Sequence, residues 1–345
     1  MGLVKATGPS REAAIVEPMM RRCSSYPVYL ERIKPAIDER IMRSVCNDAN
    51  GALDRRLENP LRQGKRMRAG LLMLIFETYG QERYRDMALD LASAIEIAHA
   101  ASLIVDDMLD EDVTRHGSPT MHITAGHKSA ILGTIGLISY PYQITSRYGE
   151  EYVLGMARTH RAMVQGASRE MRGAPSVGVK ETYDGIIEMK TGQLFGLAAR
   201  YGALVAGCTP EVTEMCSEFG NLTGRAMQIA DDVTDLEALL NGKKAGIRGS
   251  EAILLRCCLG RIGEPPEEVE RDVGGDVGPL DKAHRQDIEK ALGGYLEAAI
   301  KNAVGAVHRL MEGIGPQVQD NGNQKLPELG SVPAEIAAMV LKEAK

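Results

Sequence analysis

The chain has 345 residues, enough for a large buried core and for one to three domains. Its 41 Lys and Arg against 47 Asp and Glu give a net charge of −6, so nucleic acid is not expected as the main partner. The six cysteines, Cys23, Cys46, Cys208, Cys216, Cys257 and Cys258, form no CxxC pair and no metal-ligand spacing, so a reduced, cytoplasmic compartment is expected.

Residues 1–26 lack a signal-peptide pattern and read as an N-terminal extension. Helical periodicity then covers 27–57, 67–79, 86–109, 127–140, 149–171, 180–206, 211–240 and 285–313. Breaks fall at Asn59-Pro60, Gly117-Ser118-Pro119, Gly173 to Gly178, Cys208-Thr209-Pro210 and Asn241-Gly242. Residues 260–284, rich in Gly, Pro and Glu, read as a surface loop, and 315–345 as a tail carrying a short helix over Pro333 to Leu341. Ser129 to Ser146 carries no charge over 18 residues, but its hydroxyls, glycines, Pro141 and Gln143 suit a buried helix better than a membrane span. With no Trp and three Phe, the core must be built from Ala, Leu, Ile, Met and Val. No βαβ alternation is present. The expected fold is all-α, a single-domain antiparallel helical bundle over 27–314 with its active site in the bundle core.

Two acidic clusters of identical spacing stand out: Asp106-Asp107-Met108-Leu109-Asp110 and Asp231-Asp232-Val233-Thr234-Asp235. On a helix, residues i and i+4 share a face, so Asp106 stands over Asp110 and Asp231 over Asp235. A single acidic run is usually a solvated helix face. Two of the same spacing, each ending an uncharged apolar stretch, instead suggest facing rows of carboxylate oxygens. Mg²⁺ favours that environment and shares such sites with substrate phosphates. The expectation is a metal-dependent enzyme acting on a diphosphate.

The flanking residues add cations. Gly64-Lys65-Arg66-Met67-Arg68 opens an apolar helix and could hold an anion, although alone it would read as a basic turn. His99 lies two helical turns before Asp106; a lone His there would more often be a satisfied core residue. Arg115 and His116 follow the first cluster, Lys190-Thr191-Gly192 ends a helical run, and Gln228 lies three residues before Asp231.

The basic segment 64–68, AIEIAHAASLIVDDMLDEDVTRHGSPTMH (94–122), EMKTGQLF (188–195) and GRAMQIADDVTDLE (224–237) resemble, in order and spacing, the trans-polyprenyl diphosphate synthases. The resemblance covers about 27–245. It implies the isoprenoid synthase fold, a homodimer, and Mg²⁺-dependent condensation of isopentenyl diphosphate with an allylic diphosphate. By position, Asp106, Asp107, Asp110, Asp231, Asp232 and Asp235 would hold the metals. Arg115, Lys190, Thr191 and Gln228 would contact the allylic diphosphate or its cation, with Lys243, or equally Lys244, as the lysine after the second cluster. Lys65, Arg68, His99 and His116 would bind isopentenyl diphosphate. The lipophilic product implies loose membrane proximity.

Several positions depart from the family pattern. His116 stands for a second arginine, Ala167 and Thr134 interrupt two further motifs, and the 242–250 loop has Arg248 for an aspartate and Ser250 for a lysine. These losses leave two other readings open: a terpene cyclase on the same bundle, or a non-catalytic partner of an active synthase. The retained Lys65, Arg68 and His99 and the scarcity of aromatics speak against a cyclase, and the complete aspartate clusters against a dead subunit. Ser102, Ala101, Ala98 and Ala94 lie four, five, eight and twelve positions before Asp106 and are all small. They leave a tail channel open, with Ile135, Leu137, Ile138, Tyr140 or Tyr142 as candidate stoppers. A product longer than farnesyl, C20 to C35, is expected.

Overall fold

The computed structural model describes residues 25–46, 57–115, 117–173, 178–244, 246–262, 282–314 and 327–343. These form helices α1 (Tyr26–Cys46), α2 (Glu58–Arg62), α3 (Met67–Tyr79), α4 (Arg85–Leu109), α5 (Met121–Ala125), α6 (His127–Thr145), α7 (Glu150–Met171), α8 (Val179–Ile187), α9 (Gln193–Ala206), α10 (Pro210–Leu240), α11 (Ser250–Ile262), α12 (Lys282–Ile314) and α13 (Val332–Glu343). Two short strands, β1 (Thr114–Arg115) and β2 (Ser118–Pro119), pair antiparallel with Thr114 opposite Pro119. The expected all-α bundle is the fold observed.

Local chemistry sets the element ends. Thr209 caps α10 by accepting from the Val212 N–H, and Pro210 takes the first helical position, where a missing N–H costs nothing. Gly207 closes α9 in the left-handed region at φ 77°. Between α8 and α9, Glu188–Gly192 winds as a π-helix, so the expected single helix over 180–206 is interrupted. Such bulges commonly mark functional sites.

α9 packs on α3 and α10; α4 lies between α3 and α6; α10 also meets α12 and α13. Close approach requires glycine at Gly220, where an added Cβ would sit 2.4 Å from the Phe195 carbonyl oxygen. α3 is buried from Met67 through Phe76, so it needs no polar face. α6 runs antiparallel to α4: Thr120, just ahead of α5, bonds the Asp112 carbonyl, and Tyr148, after α6, donates to Asp90 near the start of α4. α13 joins the core through Val332, Ile336 and Ala337, and its Glu335 accepts the Tyr26 N–H.

Several expectations are corrected. The helix expected over 127–140 continues through Pro141 to Thr145, where the Thr145 hydroxyl donates to the Pro141 carbonyl at 2.8 Å. That helix is only half buried: Ile131, Leu132 and Ile135 are 50, 70 and 63% exposed. Of the loop expected over 260–284, residues 260–262 belong to α11 and 282–284 to α12, while 263–281 lie outside the described residues. α11 itself was not expected, although Ile253, Leu254 and Cys258 follow helical spacing and are buried. The helix expected over 27–57 is observed to Cys46; residues 47–56 lie outside the described residues. Among the described residues, one stretch is long and apolar enough to cross a membrane, Glu82–Leu109, and 78% of its most apolar window is buried inside the protein.

Candidate active site

The two aspartate clusters end up on α4 and α10, and all six aspartates line one cavity of about 1900 Å³. Within each cluster the residues take different surroundings. Asp107 is buried, and its Oδ1 accepts from Arg115 Nε at 2.5 Å, a contact supplied by β1. Asp232 is 2% exposed and accepts three hydrogen bonds: from Tyr183 Oη at 2.7 Å, Ser250 Oγ at 2.9 Å and Gln228 Nε2 at 3.0 Å. The middle aspartate of each cluster is therefore held by protein donors. Of the i and i+4 aspartates, which line the cavity with them, Asp106 lies 3.9 Å from Lys190 and Asp235 lies 3.0 Å from Lys244.

The π-helix carries Lys190 and Thr191. Lys190 Nζ lies 2.6 Å from Glu170 Oε2 and 3.9 Å from Asp106 Oδ1. Thr191 donates to Gln228 Oε1 at 2.7 Å, so Thr191, Gln228 and Asp232 form a relay. Gly166 lets α7 press against this segment, since a Cβ there would stand 2.8 Å from the Lys190 backbone nitrogen. The other Glu170 oxygen takes the Ser250 N–H at 2.9 Å, which ties the start of α11 to α7.

Beyond the second cluster, Lys244 Nζ sits 3.0 Å from Asp235 and 3.3 Å from Glu251. Lys243 is exposed and does not line the cavity, so of the two lysines it is Lys244 that belongs to the site. Arg248 Nη1 donates to the Asp110 carbonyl at 2.7 Å, bridging the loop after α10 to the end of α4. A cation there complements the exposed carbonyls of a helix C-terminus.

Lys65, Arg68 and His99 line the same cavity. The Arg68 guanidinium stacks 4.7 Å over the Phe195 ring and its Nε has no partner. Burial lowers its pKa to about 10, against the pull of Glu96, Asp231 and Asp106, so it remains charged at neutral pH. Arg66 does not share this role. It is left-handed at φ 60° and buried, bonding Asp38 at 2.6 Å and lying 3.6 Å from Glu96. His116 lies outside the described residues.

The electrostatics are those of crowded carboxylates. Burial raises the pKa values of Asp106 and Asp110, and Glu170 adds repulsion, while Lys190 opposes it. Asp231 is raised by burial and then by Asp235, with Lys65, Arg115 and Lys244 opposing. Burial works against the Lys190 charge, yet Asp106, Glu170 and Asp110 outweigh it and hold the ammonium well above its usual range.

Behind the aspartates the cavity continues along α4 past Ser102, Ala101 and Ala98. Ala94 is fully buried and does not line it, so the channel ends a turn earlier than the row of small residues suggests. Of the five candidate stoppers, Ile138 and Tyr142 line the cavity. Thr134 is buried and donates back to the Ala130 carbonyl, filling helix space rather than reaching the site.

Glu170, Tyr183 and Glu251 are site residues that the sequence motifs do not mark; Lys244 enters from sequence only as the alternative to Lys243, and Ser250 only as a replacement for a lysine. Glu170 had a signal: it stands four residues after Gly166, where the motif broken by Ala167 would place a carboxylate. Tyr183 had none, because 49 residues separate it from Asp232, the carboxylate it serves.

The polyprenyl synthetase family model matches residues 51–246. Nonaprenyl diphosphate synthase from Mycobacterium tuberculosis is 33% identical over 199 residues, 53% of this chain and 59% of the relative. Geranylfarnesyl diphosphate synthase from Aeropyrum pernix is 30% identical over 244 residues, 66% of this chain and 74% of the relative. The chain spans less than two thirds of several curated relatives it matches, 56% of a Methanosarcina mazei geranylgeranyl diphosphate synthase among them. In fold it is similar to a polyprenyl synthase from Caulobacter crescentus solved with calcium and isoprenyl diphosphate, at TM-score 0.68 and 22% identity over 93% of this chain and 98% of that one. The matched segment holds both aspartate clusters, the π-helix and the basic entry to α3, and the chain belongs to the polyprenyl synthetase family.

Proposed function

We propose that the protein is a trans-polyprenyl diphosphate synthase, condensing isopentenyl diphosphate with an allylic diphosphate to a product longer than farnesyl diphosphate. One observation carries the reading: a single cavity joins both aspartate clusters, three uncommon cavity-facing cationic or imidazole groups (Lys65, Arg68 and His99), and an apolar channel walled by Ala98, Ala101 and Ser102.

The donor set fits Mg²⁺. Among the described residues no three acidic, His or Cys side chains are grouped to hold one ion. Mg²⁺ does not require such a cage, because it takes one or two carboxylates and completes its shell with waters and substrate phosphates. Asp106 with Asp110 and Asp231 with Asp235 would be those pairs, and their mutual repulsion is the electrostatic demand that a cation relieves. When bound, Mg²⁺ supplies positive charge to the departing diphosphate.

The chain's own groups do the rest. Arg115, Lys190 and Lys244 orient the allylic diphosphate at the mouth, and Lys65, Arg68 and His99 hold isopentenyl diphosphate. The allylic C–O bond breaks with its electron pair leaving on the diphosphate. The isopentenyl double bond forms the new C–C bond, and the released diphosphate takes the proton then lost. The alanine-lined channel keeps water from the allylic cation. The Tyr183, Gln228 and Ser250 donors fix Asp232 and, through it, the direction of its neighbour Asp231.

Neither alternative gains support. Among the described residues the cavity is lined by one aromatic ring besides its histidines, Tyr142, whereas carbocation stabilisation by a cyclase would draw on several. A homodimer, cytoplasmic and drawn to membranes only by its product, is part of the reading; the exposed Ile131, Leu132 and Ile135 face of α6 is the surface such a partner copy would cover.

The test is product analysis by mass spectrometry. Protein with Mg²⁺ receives labelled isopentenyl diphosphate and geranyl, farnesyl or geranylgeranyl diphosphate. Elongation in five-carbon steps is expected. Consumption of the allylic substrate with no label incorporated would overturn the reading.

A further inference from the structure

Glu96 sits on α4 ten residues before Asp106, outside both aspartate clusters. It is 3% exposed, yet it lines the cavity. Both of its carboxylate oxygens are engaged by the start of α3. Oε1 accepts the Ala69 N–H at 3.0 Å, and Oε2 lies 3.6 Å from Arg66 Nη1.

The segment it grips is an unusual helix start. Arg66 occupies the position before α3, where Ser, Thr, Asp or Asn would usually accept a first-turn N–H, and its side chain makes no such bond. Glu96 supplies that acceptor from another helix, and its charge complements the positive end of the α3 dipole. Arg66 is also left-handed at φ 60°, an uncommon conformation for a long side chain. Its guanidinium holds it there. Nε donates to Asp38 at 2.6 Å, Nη1 to the Gln63 carbonyl at 2.6 Å and Nη2 to the Leu61 carbonyl, and Glu96 completes the set.

The consequence falls on the two neighbouring cations. The left-handed residue turns the chain between Lys65 and Met67, and Lys65 and Arg68 both line the cavity. Of the carboxylates that offset the burial of Arg68, Glu96 comes first, ahead of Asp231 and Asp106. Glu96 and Asp106 belong to one helix, about 15 Å apart at helical rise. The carboxylate thus registers the basic segment against the first aspartate cluster.

Resting on the prenyl-transfer reading, we propose that Glu96 is the positioning residue of the isopentenyl diphosphate subsite: through Arg66 and the first turn of α3 it fixes Lys65 and Arg68 at one distance from the aspartate cluster. Two substrates that must react with each other need that distance held, since a misplacement of about 1 Å can cost on the order of 10²-fold in rate.

The experiment compares wild type, Glu96→Gln, Arg66→Gln, the double variant and Tyr26→Phe. Glu96→Gln keeps the shape and an acceptor for the Ala69 N–H but removes the charge beside Arg66. Tyr26→Phe is the structural control: it deletes the 2.6 Å bond from the Tyr26 hydroxyl to the Met67 carbonyl in the same helical turn and leaves Glu96 and Arg66 in place. Calorimetry with isopentenyl diphosphate, without Mg²⁺ or allylic substrate, reads the subsite directly, and steady-state elongation of farnesyl diphosphate reads it in turnover. Glu96→Gln should weaken isopentenyl diphosphate about tenfold or more in Kd and in KM, with the KM for farnesyl diphosphate changed less than about twofold. Arg66→Gln should do the same, and the double variant should be no weaker than the worse single variant, because both act through one contact. Tyr26→Phe should lower Tm through one lost hydrogen bond and leave both KM values within about twofold of wild type. Glu96→Asp, which keeps the charge but is one methylene short of Arg66, gives the same readout with a smaller loss if Glu96→Gln does not fold. Unchanged binding of isopentenyl diphosphate in Glu96→Gln would overturn the proposal. So would equal losses for both substrates, or the same selective loss in Tyr26→Phe, since either makes Glu96 a residue that only holds the fold. If wild type incorporates no label, the prenyl-transfer reading fails, while the calorimetric series still decides the role of Glu96. Wild type that binds no isopentenyl diphosphate overturns the proposal.

Discussion

Lys190 Nζ lies 2.6 Å from Glu170 and 3.9 Å from Asp106, so one ammonium joins α7 to the first aspartate cluster. It is delivered by the π-helix, whose extra residue per turn shifts the side chain relative to a regular helix. Removing it should leave Glu170 and Asp106 without their shared cation, and the allylic diphosphate of the proposed reaction with two of its three cations. Lys190→Ala should lower kcat/KM by about 10²–10³-fold, the usual effect of deleting one such electrostatic contact. Steady-state kinetics with varied allylic substrate would check it; a loss under threefold would remove Lys190 from the substrate contacts.

Gly166 is the counterpart on α7. Adding a methyl group there places a Cβ 2.8 Å from the backbone nitrogen of Lys190, which no rotamer change can relieve. Gly166→Ala should destabilise the protein by about 1–3 kcal/mol through overpacking and also reduce turnover by displacing Lys190. Chemical denaturation alongside the elongation assay measures both; wild-type values for both would mean that the helices are less closely apposed.

Ser250 links two carboxylates, its hydroxyl to Asp232 and its N–H to Glu170, both at 2.9 Å. Ser250→Ala keeps the backbone bond and removes only the hydroxyl. A loss of about 1 kcal/mol in stability is expected for one buried hydrogen bond. Because Asp232 then has Tyr183 and Gln228 alone, the concentration of Mg²⁺ needed for half-maximal activity should rise. An unchanged Mg²⁺ dependence would show that Asp232 does not steer Asp231.

The crowded carboxylates give a signed pH dependence. Asp106, Asp110 and Asp231 have folded pKa values above their ordinary range, with burial as the first cause. A raised folded pKa means that the contribution to stability is fully present below the unfolded value, near 3.9, and is lost as pH rises through the folded value. The metal-free protein should therefore lose stability on going upward from about pH 4, and Mg²⁺ with diphosphate should restore more of it at high pH than at low. Lys190 adds no slope in this window, since it stays charged throughout. Thermal melts across pH 4–8, with and without Mg²⁺ and diphosphate, would decide; equal stabilisation at both ends would contradict the repulsion argument.

The exposed α6 face gives a test of assembly. Leu132→Asp with Ile135→Asp changes two side chains that are 70 and 63% exposed, so a monomer should tolerate both. Light scattering after size exclusion should find wild type at twice the chain mass and the double variant at the chain mass. Wild type eluting as a monomer would remove the partner copy.

Much of the site was legible in the chain because its chemistry repeats at short range. Asp106, Asp110, Asp231 and Asp235 announce themselves by i and i+4 spacing on two separate helices, and Lys65, Arg68, His99 and Lys190 sit beside recognisable apolar runs. The division of labour inside each cluster was not legible. Asp107 and Asp232 look equivalent to their neighbours in sequence, and only the arrival of Arg115 from β1, and of Tyr183 and Ser250 from α8 and α11, sets them apart.

Local pattern alone, then, determined the helical class, the two acidic clusters and the small-residue wall from Ser102 to Ala98, since each depends on residues within a turn or two of one another. Which lysine after the second cluster belongs to the site, and how far the cavity follows α4, depended on helices far apart in sequence. Glu170 meets Lys190 because Gly166 admits the π-helix. Contacts of that kind are set by packing distance and helix register, which no single segment encodes.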